Sequence, residues 1–330
     1  MKHMKLGSVM IVSALFCGGA AHAQGWSPQR NVEIVVGFVA GGGMDRTARS
    51  LDRILSAHKL VSSSTSVVNK PGGSSNIAYT YVSQRPPDGH TLMVGGGTLI
   101  TNNIMGSSPL SYGDFTLIAL LFNDYPVFSV NAASPFRSGK DLITRLKTDP
   151  RSVTTGYAAV GGGNHVAAVL LHKAIGGKTA DLKGLSFKGA AEAITNLLGE
   201  HIDLAVTSAG AAVPHVAAGR LHVVAVAAPR RLGGALAGVP TWKEQGADVE
   251  FGIWRLVIGP KGMSAAQAAY WEDALRKVTE TPEWKADIEQ NFWSGEFVAG
   301  EAFRRSLAQE YATMKSLFAD LGLAKVQTAR

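Results

Sequence analysis

The chain has 330 residues, which is long enough for two ordinary domains, each with its own core. Its formal net charge is +7, but the basic residues are scattered and form no run, so the charge pattern does not predict a nucleic-acid partner. A mildly positive protein suits a small anionic molecule better.

The N-terminal segment has the pattern of a secretory signal peptide. Lys2 and Lys5 precede an apolar stretch over residues 6–16, and small residues then lead to A-H-A at 21–23. The apolar stretch is too short to span a bilayer, which takes about 20 residues. We therefore expect cleavage after Ala23.

The one cysteine of the chain, Cys17, offers a second interpretation of this segment, a lipoprotein anchor. Phe16 precedes it where a small residue would be expected, so we favour simple cleavage and a mature chain that begins at Gln24 in the periplasm. That mature chain contains no cysteine, which excludes a disulfide framework and thiolate chemistry.

Short apolar runs alternate with segments of helical periodicity along the mature chain, which favours an α/β architecture with mostly parallel sheets. Ser264 and Gln267 form a capping box at the start of one helix, and the segment after about residue 260 is predicted to be all-helical. The predicted strands are 32–39, 65–68, 91–94, 117–121, 127–130, 202–207, 221–227 and 253–258, and the predicted helices are 45–58, 166–175, 190–198, 265–279 and 301–321.

Three glycine triplets each follow an apolar run directly, at Gly41–Gly43, Gly95–Gly97 and Gly161–Gly163. Ligands of open α/β sheets bind beyond the carboxyl ends of the strands, where bare glycine backbone before a helix presents N–H groups to an anion. Alternatively, the triplets are only tight turns, because glycine is the default residue for positive φ. The residues alone leave both interpretations open.

The usual signatures of catalysis and cofactor binding are missing. The first triplet continues as M-D-R and lacks the third glycine of a dinucleotide fingerprint, and no G-x-S-x-G motif occurs. His165 and His172 are separated by about 10 Å along a helix, too far to share one metal. We expect no cofactor, no metal and no enzymatic activity. The alternative, an extracellular hydrolase or lyase, requires a nucleophile or an acid–base pair that the sequence does not offer.

Several longer motifs stand in a characteristic order along nearly the whole mature chain. They are GFVAGGGMDRTAR, VNKPGGSSNIA, RPPDGHTLMV, SFKGAAEAITNLLGEHIDLAVTS, AAGRLHVVAVAAPRRL, GVPTWKEQG and IWRLVIGPKGMSAAQAAYW. Each is weak by itself, but in this order they resemble the extracytoplasmic substrate-binding proteins of tripartite tricarboxylate transporters.

This resemblance implies a two-lobed, periplasmic-binding-protein-like α/β fold with a hinge and a ligand cleft between the lobes. Lobe 1 would hold residues 24–126 and 250–330, lobe 2 would hold 127–249, and the chain would cross near Tyr125 and Phe251. The expected ligand is a small di- or tricarboxylate, the expected partners are membrane permease subunits, and the receptor is expected to be a monomer. A sensing receptor without a transporter is the alternative.

Matching positions imply a ligand site built from the loops that follow the strands, with a cradle of backbone N–H groups. Met44 and Asn164 depart from the usual family residues inside this site. For three positions a structural role competes with ligand contact: Asp45 as a helix cap, Ser208 as a turn residue and Arg255 in a hinge salt bridge. The implied ligand-binding residues are Ala40, Gly41, Gly42, Gly43, Asp45, Thr98, Gly162, Gly163, Asn164, His165, Ser208 and Arg255.

Overall fold

The computed structural model describes residues 25–325 and shows two β-sheets with helices packed on both faces. The predicted signal peptide, with Cys17 and the cleavage site after Ala23, lies outside the described residues. The strands are β1 (Val32–Val36), β2 (Thr65–Asn69), β3 (Thr91–Gly95), β4 (Phe115–Asp124), β5 (Pro126–Asn131), β6 (Thr155–Tyr157), β7 (Gly184–Ser186), β8 (Leu204–Ser208), β9 (Leu221–Val226), β10 (Ile253–Pro260) and β11 (Ser294–Ala299).

Ten α-helices connect and cover these strands within the described residues. They are α1 (Gly43–Ala57), α2 (Asn76–Ser83), α3 (Thr98–Ile104), α4 (Gly139–Thr148), α5 (Gly163–Ala174), α6 (Ala190–Leu198), α7 (Ala209–Ala217), α8 (Ala265–Glu280), α9 (Pro282–Gln290) and α10 (Gly300–Asp320). No helix of the described part is long and apolar enough to cross a membrane.

The six-stranded sheet has the order β11-β4-β10-β3-β1-β2. Its inner strand β1, next to the edge strand β2, explains the first apolar run, because Ile34 packs into the core beneath α1 and α8 while the neighbouring Val35 packs into the core on the opposite face. A strand that is buried on both faces needs apolar residues at consecutive positions instead of alternating ones. We call the part of the molecule built on this sheet lobe 1.

The five-stranded sheet has the order β7-β6-β8-β5-β9, and we call the part built on it lobe 2. Its order is that of lobe 1 without the edge strand β11, because β7-β6-β8 corresponds to β2-β1-β3 and β5 takes the place of β10. In both lobes the chain runs from an inner strand (β1 or β6) to the strand on one side of it (β2 or β7). It then crosses to the strand on the other side (β3 or β8). This creates a topological switch point between β1 and β3 and another between β6 and β8.

The expectation of mostly parallel sheets is wrong. Of the nine strand pairs in the described residues, four are parallel and five are antiparallel. Four of the five antiparallel pairs involve the strands that enter each sheet from the other lobe: β5 runs antiparallel to β8 and β9, and β10 runs antiparallel to β3 and β4. A strand that enters a sheet from the cleft runs in the opposite direction to strands whose carboxyl ends face the cleft.

The expectation of an all-helical C-terminal segment is also wrong, because β11 pairs with β4 between α9 and α10. The first three residues of this strand are exposed and only its last three are apolar, so its sequence gives little strand signal. Helices α2, α3, α4 and α7 and the three-residue strands β6 and β7 were not predicted. The predicted α/β class is confirmed, and we retain the predicted division of residues between the lobes as a proposal.

Candidate functional site

A cavity lies between the two lobes, at the carboxyl ends of the strands that flank the two switch points. Eight predicted site residues line it: Gly42, Gly43, Thr98, Gly162, Gly163, Asn164, Ser208 and Arg255. The other lining residues are Phe38, Met44, Gly97, Ala158, Ala159, Gly189, Ala190 and Ile253. The predicted residues Ala40, Gly41, Asp45 and His165 belong to the same loops but are not among the lining residues.

Several helices begin at this cavity. The lining includes the N-cap or first residue of α1, α5, α6 and α7, together with the start of the short helix α3. Each helix N-terminus carries N–H groups without intrahelical partners and a partial positive charge. Their convergence on one space makes the cavity favourable for an anion.

The N-termini at the cavity have glycine or a non-capping serine where other helices have capping side chains. The side chains of Ser138, Ser264 and Thr281 accept backbone N–H groups at the starts of α4, α8 and α9. In the described residues, the N-cap positions Gly42, Gly162, Gly189 and Ser208 provide no such bond. α2 and α10 lack this bond as well, so convergence on the cavity is what distinguishes these helices.

The glycine loops before α1 and α5 have the same conformation. Gly41 and Gly161 have φ of 88° and 74°, a left-handed conformation that favours glycine. In each loop the next glycine is the extended N-cap, and the side chain four residues after the first glycine accepts that glycine's N–H, at 2.9 Å for Asp45 and 3.0 Å for His165. The two triplets are therefore equivalent loops of the two lobes.

Asp45 holds the first loop together from behind the cavity. Its carboxylate accepts hydrogen bonds from Gly41, from Asn69 and from Arg49, the last at 2.9 Å. Burial by itself would raise the pKa of Asp45, but these hydrogen bonds outweigh it and leave the pKa below its ordinary value. The carboxylate stays charged, and Arg49 balances that charge next to the helix N-terminus.

His165 has the same position in lobe 2 but carries no charge. Burial lowers the pKa of His165 to about 4, and its ring lies 4.7 Å from the ring of Tyr157. Because Nδ1 accepts the N–H of Gly161, the neutral ring carries its proton on Nε2. His172, the other histidine of this helix, is likewise buried, and its lowered pKa follows from that burial.

Arg255 is the charged side chain among the lining residues, and it is only 5% exposed. Its Nη2 donates to Asp124 Oδ2 at 3.0 Å, and Asp124 is fully buried at the end of β4. Burial raises the pKa of Asp124 to about 6 although Arg255 opposes the shift, and burial lowers the pKa of Arg255. A β-bulge between Arg255 and Leu256 lies beside the pair, a common feature where a strand aims a side chain into a site.

Several buried polar atoms at the cavity have no protein partner within residues 25–325: Ser208 Oγ, Asn164 Oδ1, Arg255 Nε and Arg255 Nη1. Thr98 differs, because its hydroxyl group lies 3.0 Å from the hydroxyl of Tyr79. Buried polar groups are nearly always hydrogen-bonded, and exceptions call for an explanation. Over the same residues, no group of three His, Cys, Asp or Glu side chains could hold a metal ion.

The two lobes contact each other around the cavity, and three glycines of lobe 2 lie at these contacts. A Cβ on Gly161 would lie 2.1 Å from Met105 Cε, one on Gly163 would lie 2.3 Å from Ile253 Cγ1, and one on Gly189 would lie 2.7 Å from Val39 Cγ2. The hydroxyl of Ser74 also donates to the carbonyl of Val160 at 3.2 Å. Bare backbone on lobe 2 therefore allows this close approach.

Some of the residues in and beside the cavity carry no recognisable signal in the sequence. Phe38, Ala158 and Ala159 are ordinary apolar residues at strand ends, and Asp124 ends an apolar run that is otherwise typical of a strand. Gly189 could have been found, because it directly precedes a predicted helix as Gly42 and Gly162 do. The equivalence of the two triplets was also visible, as GGGMD and GGGNH.

The fold and the cleft define a two-lobed binding protein. Residues 48–323 match the model of the tripartite tricarboxylate transporter family receptor, TctC, and the chain belongs to this family. Members of the family are substrate-binding receptors, and the chain is an extracytoplasmic solute-binding receptor of this kind.

Solved structures agree with the family. A TctC solute-binding protein from Polaromonas is 28% identical, with a TM-score of 0.64 over 89% of this chain and 99% of that one. The periplasmic binding protein BugD is 25% identical, with a TM-score of 0.83 over 91% of this chain and all of BugD. R. palustris Rpa4515, solved with adipate, is 25% identical, with a TM-score of 0.82 over 91% of this chain and 99% of that one. The predicted two-lobed periplasmic-binding-protein fold is thereby confirmed.

Proposed function

We propose that this receptor captures a small carboxylate, of the di- or tricarboxylate class, in the cavity between its lobes. The observation that carries the proposal is the convergence of uncapped N-termini from both lobes on one cavity. The adipate in the similar R. palustris protein is a carboxylate of this class.

In this proposal the backbone N–H groups after the two equivalent triplets form the cradle for one carboxylate. Gly42 and Gly43 contribute from lobe 1, and Gly162 and Gly163 contribute from lobe 2. Asp45 and His165 keep these loops in position by their hydrogen bonds to Gly41 and Gly161. Thr98, Asn164 and Ser208 provide polar side chains at the cavity wall, while Ala40 and Gly41 shape the first loop.

We further propose that the receptor acts in the periplasm after removal of residues 1–23 and delivers its ligand to the permease subunits of a tripartite transporter. The family to which the chain belongs supports this partner. The receptor would act as a monomer and leave its ligand chemically unchanged.

A thermal-shift screen of the mature protein over mono-, di- and tricarboxylates tests the binding proposal. A ligand that binds only the folded state adds about 2.7 kcal/mol to the free energy of unfolding at a concentration 100-fold above Kd. We expect at least one carboxylate to raise the melting temperature and neutral analogues of the same size to have no effect. A screen in which no carboxylate shifts the melting temperature would contradict the proposal.

Delivery and catalysis need separate measurements. Cells that lack the gene should lose uptake of the labelled ligand, and the wild-type gene should restore it. Incubation of the pure receptor with the ligand, followed by mass spectrometry, should show no product. Normal uptake without the receptor would contradict delivery, and turnover of the ligand would contradict the assignment as a receptor.

A further inference from the structure

The turn that joins α9 to β11, residues 291–293, has an aromatic residue where helices usually place glycine. Asn291 ends α9, and Phe292 follows it with φ of 61°, in the left-handed conformation. The N–H of the next residue, Trp293, donates to the carbonyl of Ile288, as in a Schellman motif. A bulky residue at positive φ is a backbone outlier, and such outliers persist only where the surrounding structure holds them.

Other helices end in the same motif without an aromatic residue at the left-handed position. In the described residues α9 is the one such end with an apolar side chain there, so the ring of Phe292 and not its backbone accounts for this residue. The other helices have glycine or an exposed polar side chain at this position: Gly106 after α3, Gly176 after α5, Gly219 after α7, Gly322 after α10, Lys59 after α1 and Glu200 after α6.

The ring of Phe292 packs against an apolar cluster of the opposite lobe. The turn belongs to lobe 1 because β11 pairs with β4, whereas Val127, Ala212 and Leu236 of the cluster are buried in lobe 2. Gly234 of lobe 2 also meets the ring, since a Cβ at that position would lie 3.2 Å from Phe292 Cε1. Burial of the ring between the lobes offsets the strain of the turn.

The neighbouring Asn291 contacts the helix whose N-cap is at the ligand cavity. α7 begins directly after Ser208, which lines the cavity. A Cβ on Gly210, in the first turn of α7, would lie 2.5 Å from Asn291 Oδ1 and 3.4 Å from Asn291 Cβ. Asn291 and Phe292 are not among the residues that line the cavity. The first turn of α7 therefore faces the cavity at its N-cap and lobe 1 at Gly210.

We propose that Asn291 and Phe292 are positioning residues for ligand binding, which hold α7 against lobe 1 in the arrangement where its N-terminus faces the ligand. They act through α7 and not on the ligand. The apparent Kd of a receptor is its intrinsic Kd divided by the fraction of molecules in the binding-competent arrangement. A contact made in that arrangement raises this fraction, so affinity is set in part from outside the cavity. The inference rests on the proposed function for the place of the ligand.

A disulfide between the turn and α7 tests the inference. Residues 24–330 contain no cysteine, so the thiols of Gly210→Cys and Asn291→Cys have no other partner within the mature chain. The 3.4 Å between the two Cβ positions is close to the mean of about 3.8 Å in disulfides.

Succinate, glutarate, adipate and citrate are titrated into wild-type protein by calorimetry, and the one that binds most tightly serves as the probe. We expect the oxidised double-cysteine variant to bind this probe about 3- to 10-fold more tightly than the reduced variant, because the disulfide raises the binding-competent fraction. Equal or weaker affinity after oxidation would overturn the inference. Failure of the two cysteines to oxidise would also overturn it, because the turn and α7 would then not meet in solution.

Phe292→Gly removes the ring and introduces the residue that favours positive φ, so the turn itself keeps its conformation. We expect about 10-fold weaker binding of the probe with little change in melting temperature. Lys59→Gly is the matched control, because it makes the same backbone change after α1, where the side chain is exposed, and it should leave affinity unchanged. Normal or tighter binding by Phe292→Gly would show that the ring does not position α7 for the ligand.

The outcomes separate this inference from the proposed function. If the probe binds wild-type protein but neither the disulfide nor the loss of the ring changes its affinity, the inference alone fails. If none of the four carboxylates binds wild-type protein, the proposed function fails, and oxidation of the cysteine pair, which needs no ligand, still tests the contact between the turn and α7.

Discussion

Gly42 is the residue at which the cradle can be tested with least effect on the fold. Its φ and ψ of −81° and 173° are extended values open to any residue, and the nearest described atom to an added Cβ is Val39 O at 3.8 Å. Gly163 is different, because an added Cβ would meet Ile253 at 2.3 Å and disturb the contact between the lobes. A valine at position 163 would therefore report on lobe packing as well as on binding.

We predict that Gly42→Val weakens carboxylate binding by about 10- to 100-fold, because its side chain blocks N–H groups at the start of α1. The melting temperature should change little. Calorimetric titration beside a melting curve provides the measurement, and Gly233→Ala is the control, since a Cβ on this exposed glycine has no described atom within 4 Å. Normal affinity in the valine variant would remove this loop from the cradle.

We predict a pH dependence of stability that belongs to His165. Burial lowers its pKa from 6.5 to about 4, so the neutral ring contributes fully above about pH 6.5, and that contribution is lost as the pH falls through 4. The loss amounts to about 3 kcal/mol. His165→Asn keeps an acceptor for the Gly161 N–H without a titrating ring, so urea unfolding at pH 7 and pH 4 should show a smaller drop than in wild type. Equal drops in both proteins would refute the assignment.

At the scale of elements, the sequence predicts those strands and helices whose formation depends on residues close to one another in the chain. The buried strands β1, β4 and β10 and the helices α1, α6 and α8 follow from runs and periodicities in the sequence. The half-exposed β11 has no such pattern, and its pairing with β4 arises only in the folded molecule. For the same reason the glycine loops could be predicted, whereas the contact of Arg255 with Asp124, 131 positions away, could not.

Helix caps in this protein divide into those that stabilise the fold and those left open at the cavity. We predict that Ser264→Ala lowers the free energy of unfolding by about 1 kcal/mol, because it removes the capping box with Gln267 at the start of α8. Ligand affinity should not change, since α8 begins away from the cavity. Chemical denaturation and calorimetry measure the two quantities, and an unchanged free energy of unfolding would contradict the role of this cap.

At the scale of the whole molecule, a ligand held from both lobes can shift the balance between open and closed arrangements only by its differential affinity for them. The glycine contacts of lobe 2 set how closely the lobes approach. Gly189 has an extended backbone that alanine can adopt, so a Cβ at that position adds bulk without backbone strain.

We predict that Gly189→Ala weakens ligand binding about threefold to tenfold, because its Cβ would lie 2.7 Å from Val39 Cγ2 and reduce the closed population. Val39→Ala removes that methyl group, so the double variant should recover wild-type affinity. Calorimetry on the single and double variants separates spacing from direct ligand contact. If Val39→Ala does not rescue binding, the added methyl acts on the ligand rather than on closure.

The strands that cross between the lobes also impose an order on assembly. In lobe 1 the strands β3 and β4 are not paired with each other but are joined through β10, which begins only at Ile253. During translation, the residues of lobe 2 are synthesised before this joining strand exists. Lobe 1 is therefore the first to be synthesised and the last whose sheet is complete. A nascent chain that ends before Ile253 carries the halves of that sheet without the strand that unites them.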